Sequence, residues 1–517
     1  MSDASKTSPE PEKSPSVHSG SPRILDEENI GTTMETSDLH RDLRSRHMQM
    51  IAIGGAIGAG LFVGSGGALH SGGPAALVLG YMIIGVMVLM TNFALAEMAV
   101  LYPVHGAFFT YMVRWIDPSC ITIQFWTTSI NMGVWVAVFM VFLVFIQFFG
   151  VRGYGEVEFV LSIIKILACV GFIILGVVIN CGGVGDRGYI GAKYWHDPGA
   201  FTNFTGFCSV FVVAAFAFSG TELVGLAAAE TANPRKSIPT ASKQVFMRVG
   251  IFYILNLFIL GLILPSNDDR LLGSSGANTK ASPFVLAIQD ANIKVLPSIF
   301  NAVIMISVIS VANACTFGST RTLQAMAERG MAPKFLSYID KKGRPLFCIL
   351  LQVCFGFLAF IGESGEYGTV FTWLLALSGL SALMVWASIC LAHIRMRAGW
   401  KAQGLPMHRI PWQTPFGVWG SYLGLGLNII ALIATFYSAL YPSADATPSA
   451  EAFFETYLAA PIALALYFGW KIYSRNWTMF IAAKDMDLQT GVNMLEEDFQ
   501  EEKDTRSLPK KVLDFLF

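Results

Sequence analysis

Phe216-Ala217-Phe218-Ser219-Gly220-Thr221-Glu222 lies inside an apolar run, 206–227, of membrane-spanning length. Its second half is a poor helix: glycine carries the largest backbone entropy cost, and Ser and Thr offer the backbone competing hydrogen bonds. A second interruption, Gly54-Gly55-Ala56-Ile57-Gly58-Ala59-Gly60, breaks the first apolar run at 48–69. Where a membrane helix unwinds, its N–H and C=O groups lose their partners and become available to a ligand. Interrupted helices at matching places in two halves of a chain point to an inverted-repeat membrane fold with its site near the midplane.

The composition places both interruptions in lipid. Of 517 residues, 54% are apolar and 14% charged, whereas soluble chains carry about 25% charged residues. The formal net charge of −1 supplies no basic face for nucleic acid. Eight cysteines at 120, 169, 181, 208, 315, 348, 354 and 390 form no C-x-x-C pair, so they read as small core residues and not as disulfides or metal ligands. No H-E-x-x-H and no nucleophile–base arrangement points to an enzyme, and nothing calls for a cofactor.

Eleven apolar runs are long enough to span a bilayer, near 48–69, 75–101, 131–150, 157–180, 206–227, 244–265, 295–318, 345–361, 368–394, 416–440 and 452–473. Residues 1–47, with Pro9, Pro11, Pro15 and Pro22 among serines and acids, read as a disordered cytosolic tail. No removable signal peptide is expected, because the first apolar run starts late and lacks a small-residue cleavage site. Residues 48–473 form the membrane domain, and 474–517 a second cytosolic tail with an acidic block at Glu496, Glu497, Asp498, Glu501 and Glu502.

Lysines and arginines test this count, since they prefer cytosolic loops. Arg41, Arg44 and Arg46 precede the first run, and basic clusters begin at Arg235, Arg321, Arg395 and Lys471 after the fifth, seventh, ninth and eleventh. A cytosolic head and a cytosolic loop after five crossings are incompatible, so the parity error lies before residue 235. The stretch Tyr102–Ile130 holds Arg114, Asp117 and Pro118 at its centre and makes a poor spanning helix.

The runs AEMAVLYPVHGAFFTYMVRWIDPS (96–119), GVRGYGEVEFVLSIIKI (150–166), FAFSGTELVGLAAAETANPRKSIP (216–239) and STRTLQAMAERGMAPK (319–334) resemble fungal amino acid permeases of the amino acid–polyamine–organocation superfamily. The general, broad-range type is most similar, and the resemblance runs from about Arg46 to Asp485. It implies an all-α polytopic membrane protein with a five-plus-five inverted-repeat core, two further C-terminal helices and both tails cytosolic. It also implies proton-coupled amino acid uptake at the plasma membrane. The family continues from Asp117-Pro118-Ser119 into a third helix before a segment like Ile123-Gln124-Phe125-Trp126; here Cys120 joins the two almost directly. The chain is thus expected to lack about one helix of the first repeat.

Helix polarity suggests the site chemistry, because the N-terminal end of a half-helix favours a carboxylate and the C-terminal end an ammonium. Substrate carboxylate contact is assigned to the backbone of Gly58, Ala59 and Gly60, with Ile57 beside them in the substrate-binding set, and ammonium contact to carbonyls around Phe216, Ala217 and Ser219, within the break that continues through Phe218, Gly220 and Thr221. Small-residue helix packing would also explain the glycines. The resemblance places Phe216 as an aromatic gate and Lys165 where some relatives replace a coupling sodium ion. Lys165 alternatively snorkels to the interface. Glu222 either carries a proton or accepts hydrogen bonds from freed N–H groups, and Glu97 either takes part in coupling or is solvated at the interface. Asn301, Ser307, Ser310 and Asn313 could face the site or bond between helices. The expected partners are amino acids, protons, the lipid bilayer, and trafficking or ubiquitination machinery at the tails. Two rival readings stay open: a non-transporting splice or gene-model variant retained in the endoplasmic reticulum, and a sensor that binds without flux. The Asn203-Phe204-Thr205 sequon reports topology.

Overall fold

A computed structural model describes residues 48–490, apart from 49, 52–54, 56, 105, 117–142, 144, 148–149, 186, 232–233, 272–281, 341–342, 357–366, 442–447, 449, 476 and 478–479. The described residues form helices and no strand. The first run bends at Ile57–Gly58, passes through a π-helical turn, Gly60–Gly64, and continues as α1 (Ser65–Gly72). Gly73, at φ 85°, stops α1, and Pro74 starts α2 (Pro74–Leu101), where its fixed φ suits a first turn. After α3 (Ala107–Trp115) come α4 (Gly150–Asn180), α5 (Phe204–Phe218), the short α6 (Leu223–Leu226) and α7 (Pro234–Ile263). Then follow α8 (Pro283–Asp290), α9 (Leu296–Glu328), α10 (Leu346–Gly356), α11 (Tyr367–Ala402), α12 (Gly417–Leu440), α13 (Ala450–Tyr457) and α14 (Ala459–Ser474).

Among the described residues six helices are long and apolar enough to cross a membrane: α2, most of α4, α5 with α6, α9, most of α11, and α12. The apolar window of α2 is 78% buried and that of α12 only 33%, so α2 is the centre of the bundle and α12 its lipid-facing margin. Trp419, Ile430 and Ile433 on α12 are exposed accordingly.

Several boundaries differ from the sequence expectation for one physical reason. α9 runs on to Glu328 and α11 to Ala402, so Arg321, Arg395 and Arg397 sit within the last turns of helices and not in loops. A helix C-terminus welcomes a cation, and each finds a partner: Arg321 pairs with Glu230 at 3.1 Å, Arg397 with Glu97 at 2.6 Å, and Arg395 donates to the Trp115 carbonyl at 2.6 Å. The last run divides into α13 and α14. Of the seven described cysteines, Cys169, Cys208, Cys348 and Cys390 are buried as expected, whereas Cys181, Cys315 and Cys354 are exposed, and these seven are free thiols; Cys120 lies outside the described residues.

The Tyr102–Ile130 stretch begins as α3, nine residues long, about 13 Å and too short to span. Its remainder and most of the 131–150 run lie outside the described residues. α3 instead lies beside the ends of α2 and α11, under the C-terminal segment. There the Tyr102 hydroxyl donates to the Leu488 carbonyl (3.2 Å), Arg114 to Thr490 (2.6 Å) and the Trp115 indole to Asp487 (3.3 Å). Met486 and Leu488 are buried, so this part of the expected solvated tail is packed onto the bundle. Its unpaired carbonyls and two apolar side chains account for that docking.

At the opposite end, charges tie α8 to the loops after α4 and α7. Arg270 donates to both carboxylate oxygens of Asp268 (2.9 and 2.6 Å) and of Asp290 (2.9 and 2.9 Å), and Arg187 pairs with Asp290 at 2.7 Å. Hydrogen bonds from the Arg270 side chain hold the Asp268 carboxyl below the usual carboxylate range. A depressed carboxyl stabilises the fold above its unfolded value, about 3.9, and that stabilisation is lost only as pH falls through the lower, folded value. Thermal unfolding of Arg270→Ala against the parent is therefore expected to show the same deficit at pH 7 and pH 5, and a smaller one at pH 3. The deficit should not exceed about 1 kcal/mol, because the Arg270 side chain is exposed and water screens its charge. A deficit that vanishes between pH 7 and 5 would contradict this assignment.

Candidate functional site

The two sequence interruptions meet backbone to backbone. Gly220 has φ 100°, and a Cβ there would lie 2.7 Å from the Gly55 carbonyl oxygen. A Cβ on Gly60 would run into the Ala217 backbone, and one on Gly58 into the Val311 side chain of α9. At Gly60 and Gly220 glycine is required because main chain fills the space a side chain would need, whereas at Gly58 the obstacle is a side chain. The structure thus brings Ile57–Gly60 and Phe216–Thr221 together. Gly54 and Ala56 lie outside the described residues.

Local hydrogen bonds explain where each break begins and ends. The Gly58 carbonyl accepts from Leu61 N (3.1 Å) and Phe62 N (3.0 Å), which restarts the first helix. At the second break Ser219 N still reaches Ala215 (3.0 Å) and Phe216 (3.3 Å), and helix geometry resumes with Leu223 N on the Gly220 carbonyl (3.2 Å). Glu222 folds back so that both carboxylate oxygens accept from Gly220 N, at 3.2 and 3.1 Å, and the Trp386 indole of α11 donates to it at 3.2 Å. This is the hydrogen-bond-accepting arrangement of the two expected for Glu222.

Two tyrosines brace the breaks. The Tyr81 hydroxyl of α2 donates to the Gly60 carbonyl (3.2 Å), and the Tyr253 hydroxyl of α7 donates to Ala217 (2.6 Å). Tyr253 stacks on Phe218 at 4.6 Å and on Tyr81 at 6.0 Å, making an aromatic wall behind the site. A carbonyl has two lone pairs, so Ala217 keeps one for a ligand. Phe216 is half-buried, unlike its neighbours Ala217 and Phe218.

Lys165 does not snorkel. It lies mid-way along α4, fully buried, and its Nζ donates to Ser310 Oγ of α9 at 2.7 Å. Ser310 in turn donates to the buried Glu158 carboxylate, a turn and more down α4, and Asn313 donates to the other Glu158 oxygen at 3.1 Å. Gln147 donates to Asn313 at 3.2 Å. Among the described residues Ser307 bonds within its own helix, to Val303 at 2.8 Å, and Asn301 stays half-buried.

Glu97 is not solvated at an interface. It is fully buried, with Oε1 2.6 Å from Arg397 Nε and 3.0 Å from His393 Nε2, and Oε2 accepting from Arg397 Nη2 (2.8 Å) and Thr414 N (2.7 Å). It joins α2, α11 and the loop before α12, away from the breaks. Asn203, of the sequon, uses its side-chain oxygen to cap α5 at Gly206 N (2.5 Å), and Thr205 is buried. No group of three or more metal-binding side chains occurs among the described residues.

Sequence reasoning missed Tyr81, Tyr253, Trp386 and Glu158. Glu158 left a signal, because two charges seven residues apart in one apolar run share a helix face. The other three act through contacts from distant helices, which no local pattern marks.

The amino acid permease family model matches residues 47–120 and 119–483, the match dividing where Cys120 joins two family segments. The chain is 48% identical over 518 aligned residues to the general amino-acid permease GAP1 of Saccharomyces cerevisiae, covering 93% of this chain and 86% of that one. It is 47% identical to the general amino-acid permease GAP2 of Candida albicans, over 93% of this chain and 87% of that one. To the cationic amino acid transporter 1 of Schizosaccharomyces pombe it is 47% identical, over 92% and 85%. With its apolar helices and paired breaks, the chain belongs to the amino acid permease family, a multi-pass membrane protein and not an enzyme.

Proposed function

We propose that the protein takes up amino acids across the plasma membrane by alternating access, coupled to protons and with broad specificity. The observation that carries this reading is the backbone contact between two helix breaks, Gly55 against Gly220 and Gly60 against Ala217. Main-chain groups there can bind what all α-amino acids share: the substrate carboxylate at the N–H groups of Gly58, Ala59 and Gly60, and its ammonium at the carbonyls of Phe216, Ala217 and Ser219. A site that reads only the common part leaves side-chain choice to the surrounding pocket, which suits a general permease. Phe216 covers the ligand as a gate. Lys165 is the coupling residue, since α9 carries both its partner Ser310 and the Val311 side chain that touches Gly58. Glu222 shapes the second break, and Glu97 joins α2 to α11 and to the loop before α12. Trafficking and ubiquitination machinery acts on the two tails.

Uptake of labelled amino acids under an imposed pH gradient, with surface abundance measured alongside, tests the reading. Proton-driven accumulation supports it; no uptake despite surface expression contradicts it. Endoplasmic reticulum retention would favour a non-transporting variant. Leu101 and Gly150, either side of the stretch expected to lack a helix, lie at the same end of the bundle: Gly106 abuts Ala325 of α9, and Tyr154 stacks on Phe317 of the same helix at 4.3 Å. Lys165→Met is expected to abolish the pH dependence of uptake and to reduce accumulation by about two orders of magnitude. Retained proton-driven accumulation would remove Lys165 from coupling.

A further inference from the structure

We infer that Glu158 is a second proton-carrying residue, which receives the Lys165 proton through Ser310 and releases it towards the cytosol. The inference rests on the proton-coupled reading above and deepens it. Three observations carry it. The first is continuity: Lys165 Nζ donates to Ser310 Oγ at 2.7 Å, and the same hydroxyl donates to Glu158 Oε1. One hydroxyl that accepts from an ammonium and donates to a carboxylate is already oriented for transfer. The second is burial: Glu158, Ser162, Lys165, Ser310 and Asn313 are all fully buried, so bulk water does not reach the path in this conformation. The third is direction. α4 runs from the arginine-rich end of the bundle, so Glu158 stands about 10 Å closer to the cytosol than Lys165. Asn313 and Gln147 continue the polar row that way, at 3.1 and 3.2 Å.

The step balances without another reactant. An N–H bond of the Lys165 ammonium breaks as an O–H bond forms on Ser310, while the proton originally on Ser310 forms an O–H bond with Glu158. The ammonium becomes an amine and the carboxylate a carboxylic acid, with Ser310 unchanged and no net charge created. A buried ion pair on α4 is thereby exchanged for a neutral pair, and the charge-assisted hydrogen bonds from Lys165 to Ser310 and from Ser310 and Asn313 to Glu158, which tie α4 to α9, become neutral and weaker. Release from Glu158 to the cytosol and reprotonation of Lys165 from outside complete one proton transfer.

The groups facing this pair limit the alternatives. On α4 they are Tyr154, whose hydroxyl has no hydrogen-bond partner among the described residues, and Cys169; Ser162 donates to the Met50 carbonyl of the first broken helix at 3.0 Å. On α9, beyond Ser310 and Asn313, they are the Cys315 thiol and Arg321, the latter paired with Glu230 at 3.1 Å and resting over Phe317 at 4.0 Å. That ion pair stands about 12 Å beyond Asn313 along α9, towards the helix's C-terminal end.

The test is uptake into proteoliposomes holding the full chain, wild type, Glu158→Gln, Glu158→Asp and Ser310→Ala, with an imposed pH gradient and a profile over external pH. Glu158→Gln is expected to lower proton-driven accumulation by about tenfold or more, to flatten the pH profile, and to change the KM for amino acid exchange far less. Glu158→Asp should restore part of the pH dependence, which a purely structural role would not separate from KM. Ser310→Ala keeps both charges and is expected to slow proton-driven uptake; it decides the matter if Glu158→Gln fails to fold. Accumulation and a pH profile like the wild type's in Glu158→Gln, or in Ser310→Ala where that variant decides, overturn the relay while leaving proton coupling intact. Wild-type uptake that ignores the pH gradient overturns the coupling reading itself.

Discussion

Replacing Glu97 with alanine is expected to destabilise the protein by about 3–5 kcal/mol, the cost of leaving a buried cation without its counter-charge. The carboxylate is fully buried and receives four contacts, two from Arg397 (2.6 and 2.8 Å), one from His393 (3.0 Å) and one from Thr414 N (2.7 Å). Without it, the Arg397 guanidinium and the Thr414 N–H keep their burial and lose their acceptor. His393 would keep only its contact with Ser421 Oγ, at 2.7 Å. Three parts of the fold, α2, α11 and the loop entering α12, would lose their shared anchor at once. Thermal unfolding of detergent-solubilised protein, read by size-exclusion recovery, measures the effect. The double variant Glu97→Leu, Arg397→Met should be less unstable than Glu97→Ala alone, because no charge is left unpaired. A Glu97→Ala protein as heat-resistant as the parent would contradict the anchor role.

Gly220→Ala is expected to raise the substrate KM about thirtyfold or more, from combined strain and overpacking of roughly 2–6 kcal/mol. Gly220 has φ 100°, which L side chains rarely adopt, and an added Cβ would lie 2.7 Å from the Gly55 oxygen and 2.8 Å from its carbonyl carbon. Neither obstacle can give way cheaply, since both are main chain at the opposite break. The substitution therefore pushes apart the backbone groups proposed to hold the substrate. Gly404→Ala separates the two contributions: Gly404 has φ 70° with nothing within 4 Å of the added carbon, and it lies outside the site. Its strain alone should leave KM unchanged. Uptake kinetics normalised to surface protein decide; an unaltered KM for Gly220→Ala would sink the proposed main-chain site.

Much of the candidate site was legible along the chain. The glycines at 55, 58, 60 and 220 broke two apolar periodicities, and the structure brings those breaks into contact. Lys165 was conspicuous because a lysine amid apolar residues is costly and must be used or satisfied. What stayed hidden depended on partners far away in sequence. Tyr81 and Tyr253 looked like two among many aromatics, until their hydroxyls met the Gly60 and Ala217 carbonyls. Glu97 looked interfacial because its distance from the helix end suggested solvent, and only the returning end of α11 shows that Arg397 and His393 replace that solvent. Arg321 and Arg395 were read as loop charges, since hydropathy falls where charge rises, whereas the backbone remains helical through them.

By itself the sequence determined the solvent, the helical class and the positions of the two breaks, because these follow from local apolar content, glycine's backbone freedom and the cost of unpaired amides in lipid. Only the tertiary structure decided which buried polar groups answer one another: Glu158 with Lys165 through Ser310, Glu222 with Trp386, and Glu97 with Arg397. Hydrophobic burial is non-directional and can be read from composition, but a hydrogen bond or ion pair in a low-dielectric interior needs its partner within about 3 Å. That separation is set by how helices hundreds of residues apart are packed, and no local pattern encodes it.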